Sequence, residues 1–142
     1  MGRVVILGLA VATALSLVAC HKKKDECNAL FETAGEHRRK YKKDLAEVDE
    51  PGADKRAVGG RLVKTLKTAT DEISDVDVST PDAKKARDQY VDDLDTLRMA
   101  LDDSVSAEKQ QKALNKLDSI NFDADYFHIG ATCEHMSITD EF

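Results

Sequence analysis

Apolar residues return every three to four positions through four stretches of the chain. The first holds Cys27, Leu30, Phe31, Ala34, Tyr41, Leu45 and Val48, with Arg38 at the step where another apolar residue is due. The second holds Val58, Leu62, Leu66, Ala69, Ile73 and Val76, and the third Ala83, Ala86, Tyr90, Leu94, Leu97 and Leu101. The fourth holds Ala113, Leu117, Ile120, Ala124, Phe127 and Ala131. This spacing keeps one side of a helix apolar while charges occupy the other, the pattern of a helix that buries one face. The aromatic group Phe122, Tyr126 and Phe127 reads as core on the same grounds.

Turn residues separate the stretches. Asp49-Glu50-Pro51-Gly52 ends the first helix. Thr80-Pro81-Asp82 offers a capping hydroxyl, a proline at the first helical position and an early acid, which together start the third. Ser106 is placed to cap the fourth, and Gly130 to mark its end. Two places resist the pattern. Gly59-Gly60 costs about 2 kcal/mol of helix propensity inside the second helix, so that helix starts near Arg61 or the glycines admit a close neighbour. Residues Ser119 to Asp123 contain side chains that compete for backbone hydrogen bonds, and they threaten to split the fourth helix. The expected fold is all-α, an antiparallel up-down four-helix bundle.

The first twenty residues follow a different rule. Arg3 precedes an uncharged apolar run from Val4 to Ala19, as in a secretory signal peptide. At 16 residues the run is short of the ~20 that a membrane-spanning helix needs. It closes with Leu17-Val18-Ala19-Cys20, which resembles the lipobox of bacterial lipoprotein precursors. The resemblance covers residues 1–20 alone. It implies cleavage after Ala19 and a covalent lipid on Cys20, with two or more acyl chains (palmitate is typical) for firm anchoring. The expected organisation is then a signal peptide at 1–19, a short lipid-anchored tether at 20–26, a bundle domain at 27–135 and a loose tail at 136–142. A plain signal peptide cut elsewhere and an uncleaved anchor are the competing readings.

Charge narrows the partners. Without Arg3 the chain keeps 20 basic and 27 acidic residues, a formal charge of −7. That balance argues against nucleic acid and for a soluble, self-repelling surface. Export leaves Cys27 and Cys133 as a pair in an oxidising compartment, most simply a disulfide. The bundle topology agrees independently, because an even number of helices brings both ends of the domain to one side. That side, with the turn near Val78 to Pro81, is expected to face the membrane, and residues 48–56 and 102–106 the opposite way. Lys22, Lys23 and Lys24 stand where anionic head groups attract cations, or simply solubilise the tether. His21 after the lipidated Cys, in place of an Asp, points to the periplasmic face of the outer membrane in a two-membrane cell.

Candidate chemistry is sparse. His37 lies in Glu36-His37-Arg38-Arg39-Lys40, a solvated face, and His128 and His135 are too far apart on one helix to hold an ion easily. Asn121, Asp123 and Asp125 alternate like the start of a calcium loop. Tyr126 and Thr132 stand where its glycine and glutamate belong, and Asp75, Asp77 and Ser79 fail in the same way. No phosphate loop or nucleophile motif occurs. A carboxylate pair assembled by the fold remains open. The leading expectation is a non-catalytic envelope lipoprotein that binds a protein partner, with no cofactor besides the lipid. The alternative is a small-ligand, haem or metal carrier using His128, His135 or His37.

Overall fold

The computed structural model describes the backbone of residues 7–139 and the side chains of residues 21–134. Residues 1–6 of the expected signal segment and the side chains of Cys20 and His135 lie outside these. The described residues form five helices and no strand. They are α1 (Leu7–Val48), α2 (Lys55–Ser74), α3 (Pro81–Leu101), α4 (Ala107–Leu117) and α5 (Phe122–Thr139). Among the described residues no helix is long and apolar enough to cross a membrane.

Each of α1 and α3 packs on α2 and α5, and α4 lies against α3. The chain rises along α1, descends along α2, rises along α3 and descends in two pieces, α4 and α5. Facing pairs show the register. From Arg38 opposite Asp123, the α1–α5 seam runs through Phe31 opposite Gly130 to the disulfide between Cys27 and Cys133, whose Cα atoms are 5.5 Å apart. Ser79 N–H donates to Glu26 at 2.9 Å, so the α2–α3 turn shares the disulfide end as the topology predicts.

The core consists of Cys27, Leu30, Ala34 and Tyr41 of α1, Leu62, Leu66, Ala69 and Ile73 of α2, Ala83, Ala86, Tyr90 and Leu94 of α3, with Val78 and Ile129. The first three predicted stripes are buried over most of their length, but Leu45 and Leu101 are exposed, and α1 buries two polar residues within its stripe. His37 and Asp44 continue the steps of Leu30, Ala34 and Tyr41 into the interior. His37 is only 1% exposed, so the expectation of a solvated face is corrected. The helical phase places it one position before Arg38, and a charge-rich neighbourhood concealed this.

The fourth stripe fails beyond Leu117. Ser119 Oγ donates to the Lys116 carbonyl at 2.7 Å, and Asn121 Oδ1 accepts from Ala124 N–H at 3.0 Å. These side chains end one helix and cap the next, as their chemistry allows. The break resets the phase. Phe122, Tyr126, Ile129 and Cys133 turn to the core, while Phe127 is 60% exposed and Ala124 and Ala131 face solvent. The core assignment thus holds for Phe122 and Tyr126 and fails for Phe127.

Gly130 does not mark the end of a helix. It lies inside α5, where a Cβ would come within 2.9 Å of the Phe31 ring; a Cβ at Gly35 of α1 would come within 2.8 Å of the Tyr126 hydroxyl. Both glycines let α1 and α5 approach. Residues 20–26 continue α1 as helix, which shortens their reach from the ~25 Å of an extended tether to about 10 Å. Helix also continues through residues 136–139 of the expected tail. Ser106 and Thr80 occupy cap positions without a side-chain cap bond, whereas Asp54, not foreseen, accepts from the N–H groups of Arg56 and Ala57.

Gly59 and Gly60 lie within α2, which begins six residues before Arg61 at Lys55. A Cβ at either position meets nothing within 4 Å, so neither proposed reason for them holds. Gly59→Ala and Gly60→Ala are each expected to stabilise the protein by about 1 kcal/mol. Urea unfolding checks this, and a lowered midpoint for either variant would contradict the open surroundings.

Candidate functional site

Polar residues gather on the α1–α2 seam, where His37 meets Glu72 and Asp44 meets Arg61 and Thr65, and on the seam of α5 with α1 and α3. Two carboxylates at the start of α5 have opposite environments. Asp123 turns to α1, where Arg38 donates through Nε at 3.1 Å and through a terminal nitrogen at 2.7 Å. Lys42 donates to its other oxygen at 3.0 Å. The bonds from Lys42 and Arg38 hold the Asp123 carboxyl below the usual carboxylate range. Arg38 also lies over the Tyr126 ring, 5.0 Å from its centre, and 5.7 Å from that of Phe127. Phe127, missed as a surface residue, thus flanks an arginine already fixed by a carboxylate.

Asp125, half a turn further on, lies on α5 where that helix packs on α3. Its carboxyl is pushed up, first by burial and then by the charge and hydrogen bonding of Asp93, while His128 opposes the shift. The Asp93 side chain is 3% exposed. Gln89 donates to its Oδ2 at 2.8 Å, but the buried Oδ1 has no hydrogen-bond partner. Lys116 of α4 stands 3.7 Å from that oxygen and donates to the Thr96 hydroxyl at 3.3 Å. This is the carboxylate pair that the spacing alone could not show. Asp93 lies one position before Leu94 in the α3 stripe, and Asp125 belongs to a helix whose phase depends on the break at Asn121.

α1 and α3 also bring two phenols together. The hydroxyls of Tyr41 and Tyr90 are 3.3 Å apart and buried. Burial, foremost, raises both above the ordinary tyrosine range. The Tyr126 ring stacks on Phe31 at 4.8 Å and tilts against Tyr90 at 6.3 Å.

The oxygens that resemble the start of a calcium loop diverge. Asn121 caps α5, Asp123 binds α1 and Asp125 meets α3, so they do not converge on one point. The histidines are likewise apart. His37 Nε2 donates to Glu72 of α2 at 2.8 Å, with Nδ1 buried and unpaired, whereas His128 lies exposed on α5. Among the described residues no group of three or more His, Cys, Asp or Glu side chains is arranged to hold a metal ion.

The surface carries shallow grooves. One of about 560 Å³ follows the α4–α5 break and is lined by Tyr41, Lys42, Leu45, Leu97, Ile120 and Phe122 among others. Another, of about 250 Å³, lies beside the disulfide between Lys24, Phe31 and Gly130. Neither is lined by a histidine.

No protein-family model, characterised protein or solved structure shows significant similarity to the chain.

Proposed function

We propose that the protein is an envelope lipoprotein, anchored through lipid on Cys20, whose helical domain has a non-catalytic structural or protein-binding role. One observation supports this more than any other. The first buried side chain among those described is Cys27, and residues 21–25 are all exposed. The packed domain therefore begins seven residues after the lipobox cysteine, and the disulfide fixes its base there. A helical link of about 10 Å then holds that end close to the bilayer, with Lys22, Lys23 and Lys24 at the head-group level. In this reading the four principal helices, α1, α2, α3 and α5, act as an up-down bundle with α4 as a short outer prop, and the α1–α2 and α3–α4 loops point away from the membrane.

The test is the intact mass of the membrane-extracted protein. The expected mass is that of residues 20–142 plus a diacylglyceryl group, with or without a third acyl chain, and Cys20→Ser is expected to lose it. An unlipidated or uncleaved wild-type mass would overturn the anchor. For the binding role, a photo-crosslinker in place of Asp54, exposed at the far end, is expected to capture one dominant envelope protein. No reproducible product would argue against a partner there.

A further inference from the structure

The disulfide presents its two sulfurs unequally. Cys27 is 1% exposed and belongs to the core. Cys133 is only partly buried and packs against that core from α5. The groove of about 250 Å³ beside the bridge is lined by Cys133 and not by Cys27. Lys24 and Phe31 of α1 and Glu134 of α5 also border it, so a cation stands where an incoming thiolate would arrive. Exchange at a disulfide needs a thiolate to reach one of the two sulfurs, and access helps to choose which. Cys27 has no exposed side from which to be approached, whereas Cys133 borders open space.

We propose that the Cys27–Cys133 bridge is a thiol-exchange site, entered from this groove, at which an incoming thiolate attacks the sulfur of Cys133. The new bond joins the incoming sulfur to Cys133. The bond to Cys27 breaks, and its electron pair leaves on the Cys27 sulfur, which takes up a proton. A monothiol stops at this mixed disulfide. A dithiol protein completes the reduction, because its second thiolate attacks its own bridged sulfur and displaces Cys133. Two electrons then pass to the bridge, and the dithiol is oxidised to a disulfide. Two factors compete over the choice of sulfur. A thiolate released among apolar residues leaves less readily, which favours attack at Cys27. Access favours attack at Cys133. Access prevails, because Cys27 is reached only after the packed base of α1 opens, while a poorer leaving group merely slows the step. Exchange frees the end of α5 beyond Ile129, the last wholly buried residue described on that helix. It does so at the base, where the α2–α3 turn also meets α1. The site depends on neither the lipid nor the partner proposed above, so its failure would leave that reading untouched.

Two measurements on the full wild-type chain test it. Free thiols are first blocked with N-ethylmaleimide. The folded protein then meets excess glutathione near the ordinary thiol pKa of about 8.5, and early time points are quenched with isotope-labelled N-ethylmaleimide. The two cysteines fall in separate tryptic peptides, residues 25–38 and 117–142, so mass spectrometry reads each one. Glutathione on Cys133 with labelled maleimide on Cys27 is expected to exceed the reverse pattern by about tenfold or more. Equal amounts, or a preference for Cys27, would overturn the assignment. The second measurement follows the exchange rate in urea below the unfolding transition. Attack on the folded protein is expected to leave that rate nearly unchanged. A rate that climbs with the urea dependence of global unfolding would mean that the bridge is reached only by unfolding. That result, or no exchange in the folded protein, would overturn the groove as its entrance.

Discussion

Removing the disulfide by Cys27→Ser with Cys133→Ser is expected to lower stability by about 4 kcal/mol, close to 15 °C in Tm. The bridge joins residues 106 apart, the base of the packed part of α1 to the last turns of α5. A cross-link of that span restricts the unfolded chain far more than a local one, and the restriction grows only slowly with further length. A second contribution is local. α5 is held to α1 by the Arg38–Asp123 pair at its start and by the bridge near its far end, with Phe31 and Gly130 in close contact between. Exposed ion pairs are worth little, so the covalent link carries much of the fastening at the lower end. Urea unfolding with and without reductant measures the effect. In the double variant reductant should have no further influence. Coincident wild-type midpoints under both conditions would mean that the bridge contributes nothing.

Replacing Tyr90 by Ala is expected to cost about 3–5 kcal/mol. Its ring is wholly buried where α3 faces α1 and α5, between Tyr41 and Tyr126. The hydroxyl is a separate matter. Tyr90→Phe leaves the Tyr41 hydroxyl buried without its partner, which costs about 1–3 kcal/mol. Tyr41→Phe with Tyr90→Phe removes both and is expected to cost less than the sum of the single changes, by about 1 kcal/mol in a double-mutant cycle. Additive losses would show that the hydroxyls do not depend on each other. The same pair sets the alkaline limit. Burial keeps both phenols neutral in the fold. Their contribution is therefore complete below the unfolded tyrosine value of about 10 and is lost as pH passes it. Wild-type stability should accordingly fall above pH 10, and the double Phe variant should fall less.

Much of this architecture was already present in the order of residues. Val58, Leu62, Leu66, Ala69 and Ile73 mark the buried face of α2, because apolar residues hold the period and the helix is unbroken; Thr70 joins them in the interior. Pro81 starts α3, and Gly52, at φ +88°, turns the chain before α2, since each is constrained by its own backbone. The partnership of Cys27 and Cys133 also followed from an even number of passes, and splitting the last pass into α4 and α5 did not disturb it, because both pieces descend. A residue's own preferences and the repeat of its neighbours are local quantities, and the chain carries them in full.

The tertiary structure decided whatever depended on phase and on partners. Asn121 can cap a helix or ride within one, and only the packing of Ile129 rather than Phe127 against the core settles that it caps. His37, Asp44 and Asp93 enter the interior because Glu72, Arg61 with Thr65, and Gln89 are brought to meet them from other turns or other helices. The cost of burying a polar group depends on the donor or acceptor it finds there, and for His37 and Asp44 that group is distant in sequence. For that reason the resemblance of Leu17-Val18-Ala19-Cys20 to a lipobox can be read in the chain itself, whereas the meeting of His37 with Glu72 exists only once α1 and α2 lie side by side.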